Sequence, residues 1–320
     1  MSHKVYLGES LSTLASVLTN PNSSQVIIDI WDEGSLLSGI QICNTIVDKA
    51  PLLMNGHIPI ADLITIHPNS IFIGSESSYI RKVSKGVDLQ RNWLLELSRG
   101  GKMPRNFFHS IYKKFRHEVI AKRVYDVIDK LELSNRRITL LRYGTVSYDK
   151  LVNSLPLPYI MSKVDLNPKF KNTFLKLGYV SLLIGISVAK VRVEEYTTVF
   201  IGKTNIVPHT VVLIPLKILK EDLIDYVLIY SVTSIKRPYS DYKGEYVSRL
   251  LNDVKKLGFK DVRFICSKLV FEKFGLLGNM DADLEAVINI LKDHDVELLG
   301  RLGTWREISI TDILDHTGVL

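Results

Sequence analysis

The chain has 320 residues, of which 46% are hydrophobic and 23% charged, a composition that fits a folded globular protein and excludes a disordered or fibrous one. The formal net charge is +7, and it is unevenly placed. Residues 91–137 hold twelve Lys and Arg against five Asp and Glu, so this segment carries the basic character and the rest of the chain is close to neutral.

The number of cysteines and the length of the apolar stretches indicate the environment of the protein and whether it has a membrane segment. Cys43 and Cys266 are too few for a disulfide framework and lack the spacing of metal ligands, so we expect a reducing, cytoplasmic environment and no metal site. The N-terminus has no basic segment leading into an apolar one, which argues against a signal peptide. The most apolar stretch, residues 179–191, is too short to cross a bilayer. We expect a buried strand there and no integral membrane segment.

The first thirty residues predict a strand, a glycine turn, a helix and a second strand. Residues 5–7 are apolar, Gly8 turns the chain, and apolar side chains then recur at helical spacing, at Leu11, Leu14, Ala15 and Leu18. After a polar turn, residues 25–30 form the continuous apolar run expected of a parallel sheet covered on both faces. Such a β-α-β unit has the size of half a dinucleotide-binding domain.

The glycine turn matches a dinucleotide-binding loop only in outline. In the G-x-G-x-x-G fingerprint the first glycine makes the turn, the second lets backbone approach the pyrophosphate, and the third allows close helix packing. Here these places hold Gly8, Ser10 and Thr13. Glu9 adds a carboxylate that would compete with a diphosphate for the positive end of the helix. Asp29 stands where an acidic residue holds a ribose hydroxyl, although it could equally cap the strand while Gly8 merely turns the chain.

The remainder of the chain alternates helix and strand patterns. Residues 70–74 predict a short strand, residues 91–133 mainly helix, and residues 179–234 several strands. Two amphipathic helices are predicted at residues 244–259 and 281–295, each followed by a strand, and a final helix begins near residue 309. No internal repeat or low-complexity linker interrupts this series.

Four segments, in this order, resemble the flavin amine oxidoreductases. "DEGSLLSG" (residues 32–39) follows the second strand where those proteins carry an acidic residue and a glycine pair, and "LLMNGH" (residues 52–57) resembles their turn beside the flavin. "SYDKLVNSLPLPYIMSKV" (residues 147–164) resembles their return to the nucleotide domain, and "LLGRLGTWREISITDIL" (residues 298–314) their closing glycine loop and helix. The chain is thus similar to a shortened, divergent relative of UDP-galactopyranose mutase-like and protoporphyrinogen-oxidase-like flavoproteins.

This resemblance implies an α/β fold. A Rossmann-like FAD/NAD-binding domain would come from residues 1–90 and 245–320, and a smaller mixed α/β substrate domain from residues 91–244. FAD is the implied cofactor. The residues that the resemblance assigns to it are Gly8, Ser10, Leu11, Thr13, Asp29, Gly39, Gly300, Arg301, Thr304 and Trp305.

Two of the site residues carry alternatives. The resemblance makes His57 the catalytic residue, as a hydrogen-bond donor or proton relay against the flavin, but a turn histidine held by backbone fits the sequence as well. Arg301 would offset the charge of the phosphates and of Glu9. It could instead pair with Glu9 and close an empty site.

Two functions stay open on sequence alone. One is an FAD-dependent oxidoreductase or mutase-like enzyme acting on an anionic small molecule or nucleotide; the other is a pseudoenzyme that keeps the fold as a scaffold for a protein or nucleic-acid partner. The basic segment, residues 99–123, interleaves cations with aromatic residues, a pattern of nucleic-acid binding. The same pattern fits an amphipathic helix with a buried aromatic stripe. The oligomeric state is open.

Overall fold

A computed structural model of the chain describes residues 3–21, 24–30, 36–56, 61–165, 177–235, 244–259, 261–280 and 282–316. The chain divides into two compact units. Unit 1 comprises Met1–Ser38, Ile111–Gly178 and Asn279–Leu320, and unit 2 comprises Gly39–Ser110 and Tyr179–Gly278. The predicted boundaries after residue 90 and before residue 245 do not coincide with these divisions, because the chain passes between the units four times rather than twice.

The described residues form a mixed α/β protein, as predicted. The strands are β1 (His3–Leu7), β2 (Ser24–Asp29), β3 (Ile40–Ile42), β4 (Thr45–Val47), β5 (Leu63–Ile66), β6 (Asn69–Ile73), β7 (Gly101–Pro104), β8 (Lys122–Tyr125), β9 (Ile128–Glu132), β10 (Arg137–Leu140), β11 (Gly144–Ser147), β12 (Lys150–Asn153), β13 (Tyr179–Lys190), β14 (Thr197–Ile201), β15 (Thr210–Pro215), β16 (Tyr226–Ile235), β17 (Arg263–Leu277) and β18 (Val296–Leu298). The helices are α1 (Leu11–Leu18), α2 (Glu76–Ser84), α3 (Trp93–Glu96), α4 (Phe107–Glu118), α5 (Leu157–Lys163), α6 (Gly244–Asn252), α7 (Ala282–Asp293), α8 (Gly300–Gly303) and α9 (Ile310–His316).

Unit 1 is built on a parallel sheet in the spatial order β8–β2–β1–β12–β18. Counted along the chain, this is the order 3-2-1-4-5 found in doubly wound α/β sheets. Such sheets bind ligands outside the carboxyl ends of their strands, where the strand order reverses. In this sheet that point lies at the carboxyl ends of β1 and β12.

Helix α1 follows β1 and lies where the sequence pattern predicts it. The Ser10 hydroxyl caps the helix by accepting the N–H of Thr13 at 3.2 Å, which satisfies one of the donors that a helix start leaves unpaired. Nearly all its side chains are buried, so the helix is held by packing as well as by its cap.

The prediction of mainly helix over residues 91–133 is wrong beyond Glu118. There β8 joins the edge of the parallel sheet beside β2, and β9 begins a three-stranded antiparallel sheet with β10 and β11. Pairing with a neighbouring strand overrides the local helical pattern, because the pairing buries Val124 and Ile128.

Unit 2 is built on a six-stranded sheet in the order β17–β13–β16–β15–β14–β6. Its pairs are antiparallel except β14 with β6. The buried strand expected at residues 179–191 is confirmed as β13. Apolar residues of β13 to β16 form a core against which Leu250 of α6 and Val254 pack. Among the described residues, no helix is long and apolar enough to cross a membrane.

A disulfide joins Cys43, in the turn between β3 and β4, to Cys266 on β17. The two Cα atoms lie 6.1 Å apart, a normal separation for this bond. The bond was not predicted, because the two residues stand 223 positions apart in the chain and only the folded sheet brings them together. It ties the β3–β4 hairpin to an edge strand of unit 2.

Candidate functional site

The turn between β1 and α1 lies at the carboxyl edge of the parallel sheet. Gly8 has φ +92°, and its N–H donates to the Ile28 carbonyl at 2.8 Å. A Cβ at this position would stand 2.7 Å from the Ser154 Oγ and 3.1 Å from the Leu155 nitrogen. Both the backbone conformation and the packing therefore require glycine here.

The Glu9 carboxylate is engaged by two arginines rather than by the first turn of α1. Its side chain is 0% exposed, and it accepts hydrogen bonds from Arg116 Nε at 3.1 Å and Arg123 Nε at 2.5 Å. The Tyr125 hydroxyl donates to the same carboxylate at 3.3 Å, and the Tyr112 hydroxyl donates to the Glu9 backbone carbonyl at 3.1 Å. We call these five residues the Glu9 cluster.

The Glu9 cluster bears on whether the Glu9 carboxylate would compete with a diphosphate at the start of α1. A buried carboxylate without a cation costs several kcal/mol, whereas guanidinium groups offset that cost through short charge-assisted bonds. The two guanidinium groups offset the Glu9 carboxylate and the buried Asp29 carboxylate, which bonds to the Glu9 N–H. Burial, and then the nearby Glu9 carboxylate, raises the pKa of Tyr112, so its hydroxyl stays a donor.

The alternative in which Arg301 pairs with Glu9 is wrong. Arg301 donates instead to Glu307, from Nε at 2.7 Å and from Nη2 at 2.8 Å. The partners of Glu9 are Arg116 and Arg123, which belong to the basic segment. Sequence reasoning missed them because they look like two of several cations on a solvated face, and nothing local connects them to a turn more than a hundred residues earlier.

Asp29 lies at the end of β2, beside the turn, where the sequence placed it. Its Oδ2 accepts the N–H of Glu9 at 2.5 Å, and its Oδ1 accepts the N–H of Ile30 at 2.7 Å. The carboxylate is buried. Asp29 therefore fixes the backbone of the turn, and this contact also holds the Glu9 side chain in register with the arginines.

The start of α1 presents small polar groups. Among the described residues, the N–H groups of Leu11 and Ser12 have no hydrogen-bond partner, as is usual for a first helical turn. Gly300 packs beside them with φ +69°, and a Cβ there would stand 2.8 Å from the Ser12 Oγ. Thr13 points elsewhere, since its hydroxyl donates to the Ser154 Oγ at 2.9 Å. Thr13 thus ties α1 to the sheet, the packing task of the third glycine in the fingerprint.

The closing loop lies against the same edge of the sheet. The Thr304 hydroxyl donates to the Gly300 carbonyl at 2.7 Å, and Trp305 is fully buried with φ +51°. A Cβ at Gly303 would meet the Asn153 carbonyl. Unit 1 therefore brings Gly8, Ser10, Asp29 and Gly300 to one edge, while the side chains of Thr13 and Trp305 serve packing.

One predicted site residue lies elsewhere, and another is outside the described residues. Gly39 belongs to unit 2, where it has φ +79° and where a Cβ would stand 2.9 Å from the His109 Cβ. His57 lies outside the described residues.

The basic segment follows the amphipathic-helix interpretation. Its aromatic side chains Phe107, Phe108, Tyr112 and Phe115 are buried, while Lys113 and Lys114 are exposed. Stacking on nucleobases needs exposed rings, so these four rings do not support nucleic-acid binding.

No protein-family model and no curated protein matches this sequence. Solved structures do share its fold. A reduced UDP-galactopyranose mutase is similar with a TM-score of 0.76 at 10% identity, over 96% of this chain and 89% of the mutase. A CLA-producing fatty acid isomerase from P. acnes has a TM-score of 0.66 at 10% identity over 99% and 97% of the two chains. An oxidoreductase from Methanosarcina mazei has a TM-score of 0.59 at 10% identity over 85% and 88%. The chain therefore has the fold shared by these oxidoreductase, isomerase and mutase structures.

Proposed function

We propose that this chain is an FAD-binding protein of the oxidoreductase or mutase type that acts on an anionic small molecule. One observation carries the proposal: two arginines neutralise Glu9, which leaves the first turn of α1 to receive a diphosphate. The fold likeness to an oxidoreductase and a mutase supports the same class.

The groups at the carboxyl edge of unit 1 fit a dinucleotide. Helix starts bind phosphate through free N–H groups and the helix dipole, and α1 offers the N–H groups of Leu11 and Ser12. Glycines at positions 8 and 300 keep side chains away from that turn. Asp29, at the end of β2, would hold the adenosine ribose. The loop that carries Gly300 is fixed by the bidentate pair of Arg301 with Glu307.

FAD, when bound, supplies the electron or hydride transfer, and the protein binds and orients it. The Glu9 cluster would hold the turn rigid, and its arginines would offset the Glu9 carboxylate that would otherwise repel a phosphate. The anionic substrate class rests on the +7 charge of residues 91–137 and on the exposure of Lys113 and Lys114.

A non-catalytic scaffold is the second candidate. The Glu9 cluster favours it, because the carboxylate and the arginines satisfy one another without a cofactor. A scaffold of this kind would stay folded without FAD and would gain no stability from it.

The experiment that separates the two candidates is FAD binding by matched variants at Ser10. Aspartate and asparagine both cap helices as well as serine does, so Ser10→Asp and Ser10→Asn should keep α1 intact. The Asp carboxylate would repel the diphosphate, whereas Asn would not. We expect flavin absorbance in the purified protein, FAD binding by wild type and Ser10→Asn, and binding at least about tenfold weaker in Ser10→Asp. A colourless protein whose melting temperature FAD leaves unchanged would favour the scaffold.

A further inference from the structure

We propose that the Cys43–Cys266 disulfide is a reversible redox switch that sets how firmly the β3–β4 hairpin holds the first turn of α4. The hairpin, both cysteines and that first turn all belong to unit 2. A disulfide acts as a switch when a thiol can reach it in the folded protein and when a neighbouring element depends on it. The switch needs no bound cofactor, so it stands apart from the proposed function.

The bond lies at the surface of unit 2. Cys43 and its neighbours Asn44 and Thr45 are exposed, and Cys266 is half-buried. Cys266 belongs to β17, which is an edge strand of the six-stranded sheet. A thiolate from solution can therefore attack the bond from the Cys43 side. Exposed disulfides are the labile ones, whereas structural disulfides resist reduction by small thiols.

The turn of the hairpin has an unfavourable residue at its first position. Cys43 is the first of the two residues between the paired Ile42 and Thr45, and its φ is +48°. Hairpin turns with a positive φ at this position favour glycine, asparagine or aspartate, so cysteine costs free energy there. The two strands have three residues each, and a two-stranded hairpin is marginally stable by itself. The exposed tip therefore relies on its bond to β17.

The β17 side of the bond is also irregular. Cys266 faces Val188 of β13, but the next residue of β13, Ala189, faces Phe264, so Ile265 is an extra residue in β17. Such a bulge bends an edge strand and re-aims its side chains. This bulge comes directly before the cysteine that bonds to the hairpin, so β17 departs from regular pairing at the position of the bond.

The base of the hairpin holds the start of α4. Asp48, directly after β4, accepts the N–H of Phe108 at 2.9 Å and the N–H of His109 at 2.8 Å. The Tyr230 hydroxyl donates to the Asp48 backbone carbonyl at 2.9 Å. Gly39, directly before β3, lies so close that a Cβ there would stand 2.9 Å from the His109 Cβ. The first N–H groups of a helix need acceptors from outside it, and the hairpin supplies two of them.

The hairpin transmits a change at the bond to this cap. Ile40 pairs with Val47, and Ile42 pairs with Thr45, so the two strands move together. Ile42 and Val47 are buried, which keeps the hairpin on the sheet when the bond is open. Without the bond, however, local opening of the hairpin becomes more frequent. Each opening takes Asp48 away from the N–H groups of α4.

The chemical step is thiol–disulfide exchange with a small thiol such as glutathione. Its thiolate attacks Cys43 Sγ and forms a mixed disulfide, and Cys266 Sγ leaves as a thiolate that takes a proton from water. A second small thiol then attacks the mixed disulfide, which leaves Cys43 as a thiol and the small molecule as its own disulfide. Two electrons pass from the two small thiols to the protein, and the oxidised small molecule reverses the sequence.

Exposing the native protein to reduced glutathione tests whether the bond is accessible. We expect alkylation and mass spectrometry to find both cysteines of the chain free without denaturant, and neither free after return to oxidised glutathione. In Cys266→Ser, oxidised glutathione should form a mixed disulfide on Cys43. A bond that opens only in denaturant, or a Cys266→Ser protein that takes up no glutathione, would overturn the proposal.

Amide hydrogen exchange of the oxidised and reduced wild type, followed by NMR, tests the coupling to α4. The Val207 N–H is the control, because it also donates to a buried carboxylate of unit 2, that of Asp253 at 2.8 Å, and neither residue belongs to the hairpin or to α4. We expect reduction to accelerate exchange at Phe108 and His109 at least about tenfold more than at Val207. Reoxidation should restore the original rates.

Two results of the exchange experiment would contradict the switch. Equal acceleration at Phe108, His109 and Val207, or loss of the native fold on reduction, would show that the bond stabilises unit 2 as a whole. Unchanged exchange at Phe108 and His109 would show that α4 does not depend on the bond. Neither experiment contains FAD, so failure of the proposed function leaves both results interpretable.

Discussion

Two buried carboxylates, one in each unit, are satisfied in opposite ways. Glu9 in unit 1 is bonded to two guanidinium groups, whereas Asp48 in unit 2 is bonded to two backbone N–H groups and faces one imidazole. Cations offset a buried charge; neutral donors do so only in part, and burial raises the pKa of Asp48. A buried acid is thus held by cations in one unit and by the backbone at the start of a helix in the other.

Removing Glu9 should lower the free energy of unfolding strongly. Glu9→Ala leaves Arg116 and Arg123 facing each other without their anion, so we expect a loss of about 3 kcal/mol in the free energy of unfolding. Denaturant unfolding measures this. Glu297→Ala is the control in the same unit, because Glu297 is 41% exposed and pairs with Lys150 on the surface. Its loss should stay below about 1 kcal/mol. Equal losses in the two variants would show that the Glu9 cluster stabilises the fold no more than a surface ion pair does.

The disulfide should stabilise unit 2, which also contains Asp48. Cys43 lies five residues before Asp48 on the β3–β4 hairpin, and releasing a bond that closes so long a loop should cost about 2–4 kcal/mol. We expect Cys43→Ser with Cys266→Ser to unfold at lower denaturant than the wild type. Adding a reductant to the wild type should reproduce the effect. Two free thiols in protein purified without reductant would contradict the bond.

The stability of the protein should fall in acid because unit 2 also contains a buried histidine, His209. His209 in unit 2 is buried between the hydroxyls of Thr210 and Ser234 at 2.9 and 3.1 Å, and burial lowers its pKa well below 6.5. The unfolded chain takes up a proton near pH 6.5 that the folded chain refuses, so stability falls as the pH drops below that value.

For one such proton the slope is about 1.4 kcal/mol per pH unit. His209→Asn should remove it from the pH dependence of unfolding, relative to wild type and to His117→Gln as the exposed control. A slope that His209→Asn leaves unchanged would mean that His209 is protonated in the folded protein.

The smallest effect is expected at Asp48. Asp48→Asn keeps one oxygen acceptor and loses the other, so we expect a loss of about 1 kcal/mol. Glu9→Gln, the same change of carboxylate to amide in unit 1, should cost more because it takes the anion from two arginines. Unfolding both variants under one condition gives the ranking, and the reverse order would contradict the contrast between the two sites.

The secondary structure of the first thirty residues was predictable from the local sequence pattern. The strand, turn, helix and strand of the first thirty residues follow from apolar spacing and from Gly8, and Asp29 lies beside the turn as expected. The arginine partners of Glu9 were not predictable from the local sequence pattern. Arg116 and Arg123 meet Glu9 across more than a hundred residues, and β8 forms where the helical pattern continued, because the sheet edge supplied hydrogen bonds that no local pattern encodes.

Unit 2 shows the same limit. The buried strand β13 was predictable from its apolar run, whereas the disulfide and the hydrogen bonds from the Phe108 and His109 N–H groups to Asp48 depend on tertiary contacts. Neither a single cysteine nor a single histidine carries a spacing signal, so no motif could have located them.

A side-by-side titration of wild type and Glu9→Gln with FAD, with the melting temperature recorded for each, measures whether the arginines neutralise Glu9. If the arginines neutralise Glu9, wild type binds FAD, and its affinity differs from that of Glu9→Gln by less than about tenfold. Binding by Glu9→Gln together with no binding by wild type would show that the carboxylate still excludes the diphosphate, and would contradict the account.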